Sequence, residues 1–323
     1  MFAMPLLHYA MPAAPDVSLD AAQTAAHLPY AALVAELHRL LGDDTVEVPP
    51  RLVQALPGGG SLFVMPAIDA RTAIAKLITF TPANTARGLP AIQGDVLVFD
   101  AVTGQRVLML DGPTVTARRT AAVSVLAAQR LAAAPDGPLL IVGAGVQGRA
   151  HLEAFAEVLG VTDVSVASRS QASAEALVQH ALRLGLRARV IRDADAALAD
   201  CPLAVTCTPA RGVVLRALPG NQAFISAVGA FTPAMVELSP DLCRHVAASG
   251  TVVVDTQDAL HEAGDLLQAG LDVTTFATLG QVVREKFEIV AGPVLFKSCG
   301  WAGWDLAAAR TALQQHPAAS AIK

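Results

Sequence analysis

Aromatic residues make up only 4% of the 323 residues, with two tyrosines and two tryptophans, so the packing must rest on smaller side chains. Cysteine is scarce and scattered: Cys201, Cys207, Cys243 and Cys299 form no CxxC pair. That leaves no zinc site and reads as reduced thiols in a cytoplasmic protein. No run of 18 apolar residues lacks a polar interruption, so no membrane span is expected. The opening stretch, MFAMPLLHYAMPAAPD, has no basic leader and too short an apolar core for a signal peptide. Positive charge is also in deficit. The 23 Lys and Arg against 28 Asp and Glu give a net charge of −5, which argues against nucleic acid as the main partner. No GxSxG, HExxH or paired cysteine–histidine signature occurs, and no repeat at a fixed period.

What is present is apolar bulk. Hydrophobic residues make up 53%, enough to bury a large core, and 323 residues suffice for two domains. Three regions differ in pattern. Residues 1–118 mix helix and strand: AALVAELHRLL (31–41) has helical spacing, whereas SLFVMPAI, TAIAKLITF and DVLVFDAVTGQRVLMLDG read as strands, the last with a hairpin turn at Thr103-Gly104. Residues 119–134 form an alanine-rich helix ending at Pro135-Asp136-Gly137. From 138 strand and helix alternate. PLLIVGAG, DVSVAS, RARVIRD, LAVTCTP, AFISAVGA and TVVVDT are short apolar runs without alternation, as expected of a parallel sheet covered on both faces. After about residue 295 a glycine-broken loop leads into a last helix that can return to the first region. The fold class is α/β: a Rossmann-type doubly wound parallel sheet plus a discontinuous α+β domain.

LLIVGAGVQGRAHLEAF (139–155) carries the clearest motif. Gly143-Ala144-Gly145-Val146-Gln147-Gly148 is GxGxxG, closing a strand and opening a helix. In that context Gly143 permits the turn, Gly145 lets the backbone approach a pyrophosphate, and Gly148 lets helix and strand pack closely. The helix N-terminus then offers free N–H groups to phosphate. The plainer alternative is a strand–turn–helix using glycine for geometry alone. At the end of the next strand an NAD site usually carries an acid for the ribose 2′-hydroxyl. Here Ser168, Arg169 and Ser170 stand instead, a set that favours the 2′-phosphate of NADPH, with NADH as the alternative and an ordinary surface arginine as the plain reading. Other strand ends, Thr206-Cys207-Thr208 and Val228-Gly229-Ala230, are small and leave room for a nicotinamide ring.

Chemistry needs a proton manager and a substrate clamp. In TAIAKLITF, period-two geometry puts Lys76 on one face with Ile74 and Ile78. Desolvation there would lower its pKa toward neutrality; the alternative is an edge-strand gatekeeper lysine. Arginines are natural carboxylate clamps. Arg51 follows Pro49-Pro50, and Arg118 and Arg119 sit at the junction between regions, where clefts form. LHEAGDL groups His261, Glu262 and Asp265 within about a turn. It reads as an exposed helix start, or otherwise as a polar cluster at the cleft.

VEVPPR, AKLITFTPAN…GLPAIQGDVLVFD, LDGPTVTARRTAAVSVLAA, LLIVGAGVQGRAHLEA, VASRS, SAVGAFTP, DALHEAGDL and LFKSCGWAGWDLAAA, in that order, resemble the ornithine cyclodeaminase/mu-crystallin family over nearly the whole chain. The resemblance implies a Rossmann domain (119–295) and a substrate-binding, dimerising domain (1–118 and 296–323) in a homodimer. It implies that Arg51 and Arg119 bind the substrate carboxylate, that Lys76 lies near the reacting carbon, and that Arg119, Thr120 and Ser298 approach the cofactor. The serine–arginine–serine segment looks like that of NADPH-using members. One departure stands out. Where the cyclodeaminases carry an aspartate, this chain has Phe231, which cannot accept a proton or pair with an ammonium. Ornithine deamination is therefore not expected. The expectation is NAD(P)H-dependent reduction of a cyclic ketimine carboxylate, Δ1-pyrroline-2-carboxylate or Δ1-piperideine-2-carboxylate, to L-proline or L-pipecolate, with Phe231 against the ring. The alternatives are an amino-acid dehydrogenase acting on open-chain 2-oxo acids, as in alanine dehydrogenase, ornithine cyclodeaminase proper, and a non-catalytic small-ligand binder of the crystallin kind.

Overall fold

The computed structural model describes residues 17–316, apart from positions 210 and 286 and the side chains of Thr85 and Arg211. The opening stretch read for a leader, and the outermost parts of the divided domain (1–16 and 317–323), lie outside the described residues.

Two large sheets meet across one helix. The first comprises β1 (Val17–Leu19), β2 (Leu52–Leu56), β3 (Gly60–Ile68), β4 (Thr72–Phe80), β5 (Ile92–Asp100) and β6 (Arg106–Asp111), in the order β1-β6-β5-β4-β3-β2. All neighbours are antiparallel except β1 and β6. Helices α1 (Ala21–Ala26) and α2 (Tyr30–Leu40) precede it. Because β4 lies between β3 and β5, its inward side chains, Ile74, Lys76 and Ile78, are all buried. Lys76 is thus on an interior strand, and the edge-gatekeeper alternative is removed.

Next comes α3 (Gly112–Leu131), 20 residues and so about 30 Å long. Asp111 caps it by accepting from the Thr114 N–H, and Pro113 sits in the first turn, where its missing N–H costs nothing. The helix therefore starts seven residues before the predicted Arg119. Arg118 and Arg119 lie inside it, and position 118/119 falls mid-helix. The strong cap, not the alanine run, sets the start. Alanine and serine on nearly every side let α3 touch elements of both sheets.

The second sheet is wholly parallel: β7 (Leu139–Val142), β8 (Asp163–Ala167), β9 (Arg187–Val190), β10 (Leu203–Thr206), β12 (Phe224–Ala227), β14 (Thr251–Val254), β15 (Ala277–Thr278) and β16 (Val294–Lys297), in the order β15-β14-β16-β12-β10-β7-β8-β9. A small pair, β11 (Arg211–Leu215) and β13 (Val236–Leu238), lies apart. Helices α4 (Val146–Ala154), α5 (Gln171–Arg183), α6 (Ala194–Ala197), α7 (Pro240–Ser249), α8 (Gly264–Gln268) and α9 (Leu279–Arg284) connect the strands. Every residue of β7, β10, β12, β14 and β16 is buried, as two covered faces demand.

Strand β16 was not foreseen. Val294–Lys297, most of it in the stretch expected as a loop after about residue 295, inserts between β12 and β14, so position 295/296 falls inside a strand of this sheet. Its Lys297 is wholly buried there. The chain then turns at Ser298–Gly300 into α10 (Ala302–Gln315), which packs back on β3 and β4 of the first sheet.

A buried polar string fastens α3 to the second sheet. The Ser226 hydroxyl donates to Ser124 Oγ (2.9 Å), which bonds His151 Nε2 (3.0 Å), while His151 Nδ1 lies 2.7 Å from the Gln147 carbonyl. Burial pulls the His151 pKa down to about 4, so the ring is neutral and the string carries no charge.

Candidate active site

The chain reverses strand order between β8 and β10 on either side of β7, the place where ligands bind in open parallel sheets. The glycine loop sits there. Gly143 has a φ of +120°, and a Cβ on it would lie 2.8 Å from the Cys207 carbonyl oxygen. A Cβ on Gly148 would lie 2.0 Å from the Gly143 oxygen, so only hydrogen lets α4 sit this close to β7. Gly145 is different: a Cβ there meets nothing within 4 Å. Gly145 also caps α4 without a side-chain bond, leaving first-turn N–H groups available to phosphate oxygens. Open space before a free helix N-terminus fits a dinucleotide's diphosphate.

From this loop a cavity of about 420 Å³ runs to the first sheet. Val146, Gln147, Cys207, Thr208, Val228 and Gly229 line one side; Phe63, Met65, Lys76, Ile78 and Phe80 line the other. Arg51, Thr116, Arg119, Thr120, Phe231 and Ser298 complete the wall. Most of the lining is apolar, and Phe231 meets Phe80 edge-on at 5.7 Å between centroids. Thr116 Oγ1 and Gln147 Oε1 are buried without a hydrogen-bond partner among the described residues, and both residues line the cavity. Such atoms normally find one. A larger concavity, about 530 Å³, surrounds Arg310 elsewhere; its Glu36, Asp43 and Asp69 carboxylates are spent on that arginine.

Three cations reach the cavity, each held by a carboxylate. Lys76 Nζ, 1% exposed, lies 3.1 and 3.2 Å from the two oxygens of Asp305, which is fully buried. Arg119 Nε donates to the same Asp305 Oδ1 at 3.1 Å. Arg51 Nη2 pairs with Glu262 and donates to the Gly300 carbonyl at 3.3 Å. Burial pulls the Lys76 pKa down to about 8, helped by Arg119 and Arg51 and opposed by Asp305. Burial also lifts Glu262 to about 7, against the pull of Arg51. Counting Lys76, Arg119 and Arg51 as cations and Asp305 and Glu262 as anions leaves one net positive charge, which suits a monocarboxylate.

The strand ends are held by buried acids, of which Glu237 and Asp255 carried no mark in the sequence. The buried Glu237 carboxylate accepts from Thr206 Oγ1 (3.0 Å), the Thr208 N–H (2.6 Å) and the Gly229 N–H (2.7 Å), tying β10 to β12. Burial raises its pKa, with Lys297 opposing. Lys297 in turn pairs with Asp265 at 2.9 Å, both fully buried. Asp255 Oδ2 accepts from Ser298 Oγ and the N–H groups of Cys299 and Gly300 at 2.7–2.8 Å, fixing the turn beside Arg51 and Arg119.

The profile of the ornithine cyclodeaminase/mu-crystallin family matches residues 21–317. The chain belongs to that family. It is 40% identical to Δ1-pyrroline-2-carboxylate reductase 2 of Burkholderia ambifaria, over 91% of this chain and 94% of that protein. It is 41% identical to the Δ1-pyrroline-2-carboxylate/Δ1-piperideine-2-carboxylate reductase of Azospirillum brasilense, with the same shares covered. To the ketimine reductase mu-crystallin of Mus musculus it is 35% identical, over 78% of this chain and 79% of that one. Among solved structures, Thermococcus litoralis Δ1-pyrroline-2-carboxylate reductase in complex with NADH and L-proline superposes with a TM-score of 0.79 at 24% identity, covering 95% of this chain and 98% of that chain. At that identity the likeness concerns the fold.

Within this family fold, the residues singled out from sequence take several places. Arg51, Lys76, Arg119, Thr120, Phe231, Gly145, Val146, Gln147, Cys207, Thr208, Val228, Gly229 and Ser298 line the one cavity. Gly143, Ala144 and Gly148 belong to the same glycine loop and helix start, and Thr206 ends β10 just before Cys207, but none of the four is in the lining; Ser168, Arg169 and Ser170 lie past the end of β8, where Arg169 is exposed and Ser170 caps α5. Arg118 points elsewhere, stacking on Tyr30 and donating to the Leu28 carbonyl. The exposed-helix reading of LHEAGDL fails: Asp265 is 1% exposed and Glu262 holds Arg51, because buried cations opposite them need anions. Asp305 was missed altogether, although a lone acid in the first turn of a helix, flanked by the apolar AGW and LAAA, is its signal.

Proposed function

We propose that the protein reduces a cyclic ketimine carboxylate, Δ1-pyrroline-2-carboxylate or Δ1-piperideine-2-carboxylate, to L-proline or L-pipecolate at the expense of NAD(P)H. One observation carries the reading: a glycine loop built for a diphosphate and three cations, Arg51, Lys76 and Arg119, line one apolar cavity. The names of relatives about 40% identical over nine-tenths of the chain support it.

Arg51 and Arg119 hold the carboxylate and so set which face of the C=N bond is presented. Phe231 and Phe80 cover the ring and exclude water. A bound nicotinamide supplies hydride to the imine carbon. The imine nitrogen must carry a proton to accept that hydride readily, and Lys76, largely protonated below pH 8, supplies or stabilises it. Fixing the carboxylate at two points removes much of the entropy cost of the encounter. The test is NADPH oxidation with both cyclic imines and with pyruvate plus ammonia, and ammonia release from ornithine with NAD⁺ as the cyclodeaminase arm. Turnover confined to the cyclic imines is expected. Faster turnover with pyruvate and ammonia would replace this reading with the dehydrogenase one.

The cofactor preference belongs to the same proposal. β8 ends without a carboxylate, and Arg169, exposed just past that end, would meet the 2′-phosphate. Arg169→Ala should weaken NADPH binding about tenfold or more, the worth of one charge-assisted hydrogen bond, and leave NADH binding unchanged. Fluorescence titration with both nucleotides reads this directly; equal affinities before and after the change would remove the preference.

We also propose a homodimer formed through the outer face of the six-stranded sheet, with α10 on its inner side. Leu52, Val64 and Leu77 stand side by side in register across β2, β3 and β4, and Leu52 and Leu77 are exposed. A patch of this kind on one face marks an interface. Leu77→Glu should convert the dimer to a monomer on size-exclusion chromatography with light scattering.

A further inference from the structure

We propose that Asp305 is a positioning residue for this reaction: from one buried carboxylate it aims both the Lys76 ammonium and the Arg119 guanidinium into the cavity and keeps the lysine charged. The inference rests on the reductase reading for what the cations do, but not for how they are held. Lys76 is on β4 and Arg119 on α3; no hydrogen bond between them is possible, since both only donate. Asp305, on α10, is the shared acceptor. Its Oδ1 takes both Lys76 Nζ and Arg119 Nε at 3.1 Å, and its Oδ2 takes Lys76 at 3.2 Å.

The direction of the Arg119 contact matters. Binding through Nε fixes the guanidinium plane and leaves the two Nη groups as the edge available to a carboxylate. Gly300 keeps that edge clear: a Cβ there would lie 3.2 Å from Arg119 Nη2. Lys76 spends no more than two of its three N–H donors on Asp305. Asp305 itself sits in the first turn of α10, where free N–H groups and the helix dipole favour a carboxylate. Three chain segments far apart in sequence therefore meet at one anion, which makes the spacing of the cations independent of any ligand.

The charges acting on Lys76 are few. Asp305 faces it from α10, Arg119 from α3 and Arg51 from the segment before β2. Its cross-strand neighbours, Met65 on β3 and Val96 on β5, carry none. Burial and the two arginines push toward a neutral amine, and Asp305 is what opposes them. Glu262, on Arg51, is the other nearby group that titrates near neutrality.

The test measures binding of cyclopent-1-ene-1-carboxylate, a flat ring acid with no titrating nitrogen, by calorimetry across about pH 5–10 with NADP⁺ present. It compares Asp305→Asn and Asp305→Glu, each in a Glu262→Gln background so that this carboxyl does not titrate in the range. In the reference protein binding should weaken as pH rises through about 8, where Lys76 loses its proton. Asp305→Asn should move that fall to lower pH by about 1–3 units, the usual effect of one adjacent opposite charge. Asp305→Glu keeps the charge but not the geometry, so the fall should stay in place while affinity drops several-fold. A fall that does not move in Asp305→Asn overturns the proposal. Should that variant fail to fold, a fall displaced in Asp305→Glu overturns it equally. The readout needs no turnover. A protein that shows these shifts yet reduces no cyclic imine refutes the reductase reading alone, and one that reduces the imine without the shifts refutes the role of Asp305 alone.

Discussion

Replacing Lys76 with methionine is expected to cut kcat/KM for the cyclic imine by about 10²–10⁴-fold, the range of a positioned general acid, while NADPH still binds normally. Methionine matches the stem of lysine in length and shape, so the β4 surface between Ile74 and Ile78 stays filled. Asp305 keeps Arg119 as its partner and is not left as a lone buried charge, the outcome that would unfold the region. The residual activity should also lose its alkaline limb. In the unsubstituted protein the active form is the ammonium, present below a pKa of about 8 and lost above it; with no lysine, only Glu262 and the substrate's own imine nitrogen titrate nearby, so the part of the limb that Lys76 sets disappears. Stopped-flow turnover across pH, with nucleotide fluorescence as the binding control, checks both points. Full turnover in the variant, or an unchanged limb, removes Lys76 from the chemistry.

Most of the parallel sheet was legible because its strands are unbroken apolar runs bounded by glycine, proline and aspartate. β7, β8, β10, β12 and β14 appear where the pattern puts them. What escaped is what depends on partners far along the chain. β16 carries Lys297, and a lysine in VLFK looks like surface until Asp265 is placed 2.9 Å from it by a different part of the chain. The start of α3 was missed because the alanine run outweighed Asp111 and Pro113, whose capping signal is shorter but stronger. At the site the same asymmetry holds. Glycine spacing and the apolar face around Lys76 are local facts, so the loop and the lysine were found. Asp305 and Glu262 matter only as counter-charges, and local sequence does not state which cation a buried acid will meet.

The glycine motif makes its own prediction, because two of its glycines should fail in opposite ways. Gly145 has an ordinary φ of −90°, and its Cβ position is open. Gly145→Val should therefore leave the melting temperature unchanged, since nothing in the folded protein occupies that space. It should nonetheless weaken NADPH binding by about 10²-fold or more, because branched carbons would stand where the diphosphate approaches the N-terminus of α4, and losing two charge-assisted bonds of about 1.5–3 kcal/mol each gives a factor of that size. Gly148→Ala reverses the pattern. Its Cβ would lie 2.0 Å from a backbone oxygen that cannot swing aside, so α4 must lift off β7. That overpacking should cost about 1–3 kcal/mol of stability, and nucleotide binding would weaken only as far as the loop is displaced. Thermal unfolding and nucleotide titration on both variants separate the two effects. If Gly145→Val binds NADPH normally, the diphosphate does not lie at this loop. The three cations across the cavity would then face something other than a nicotinamide.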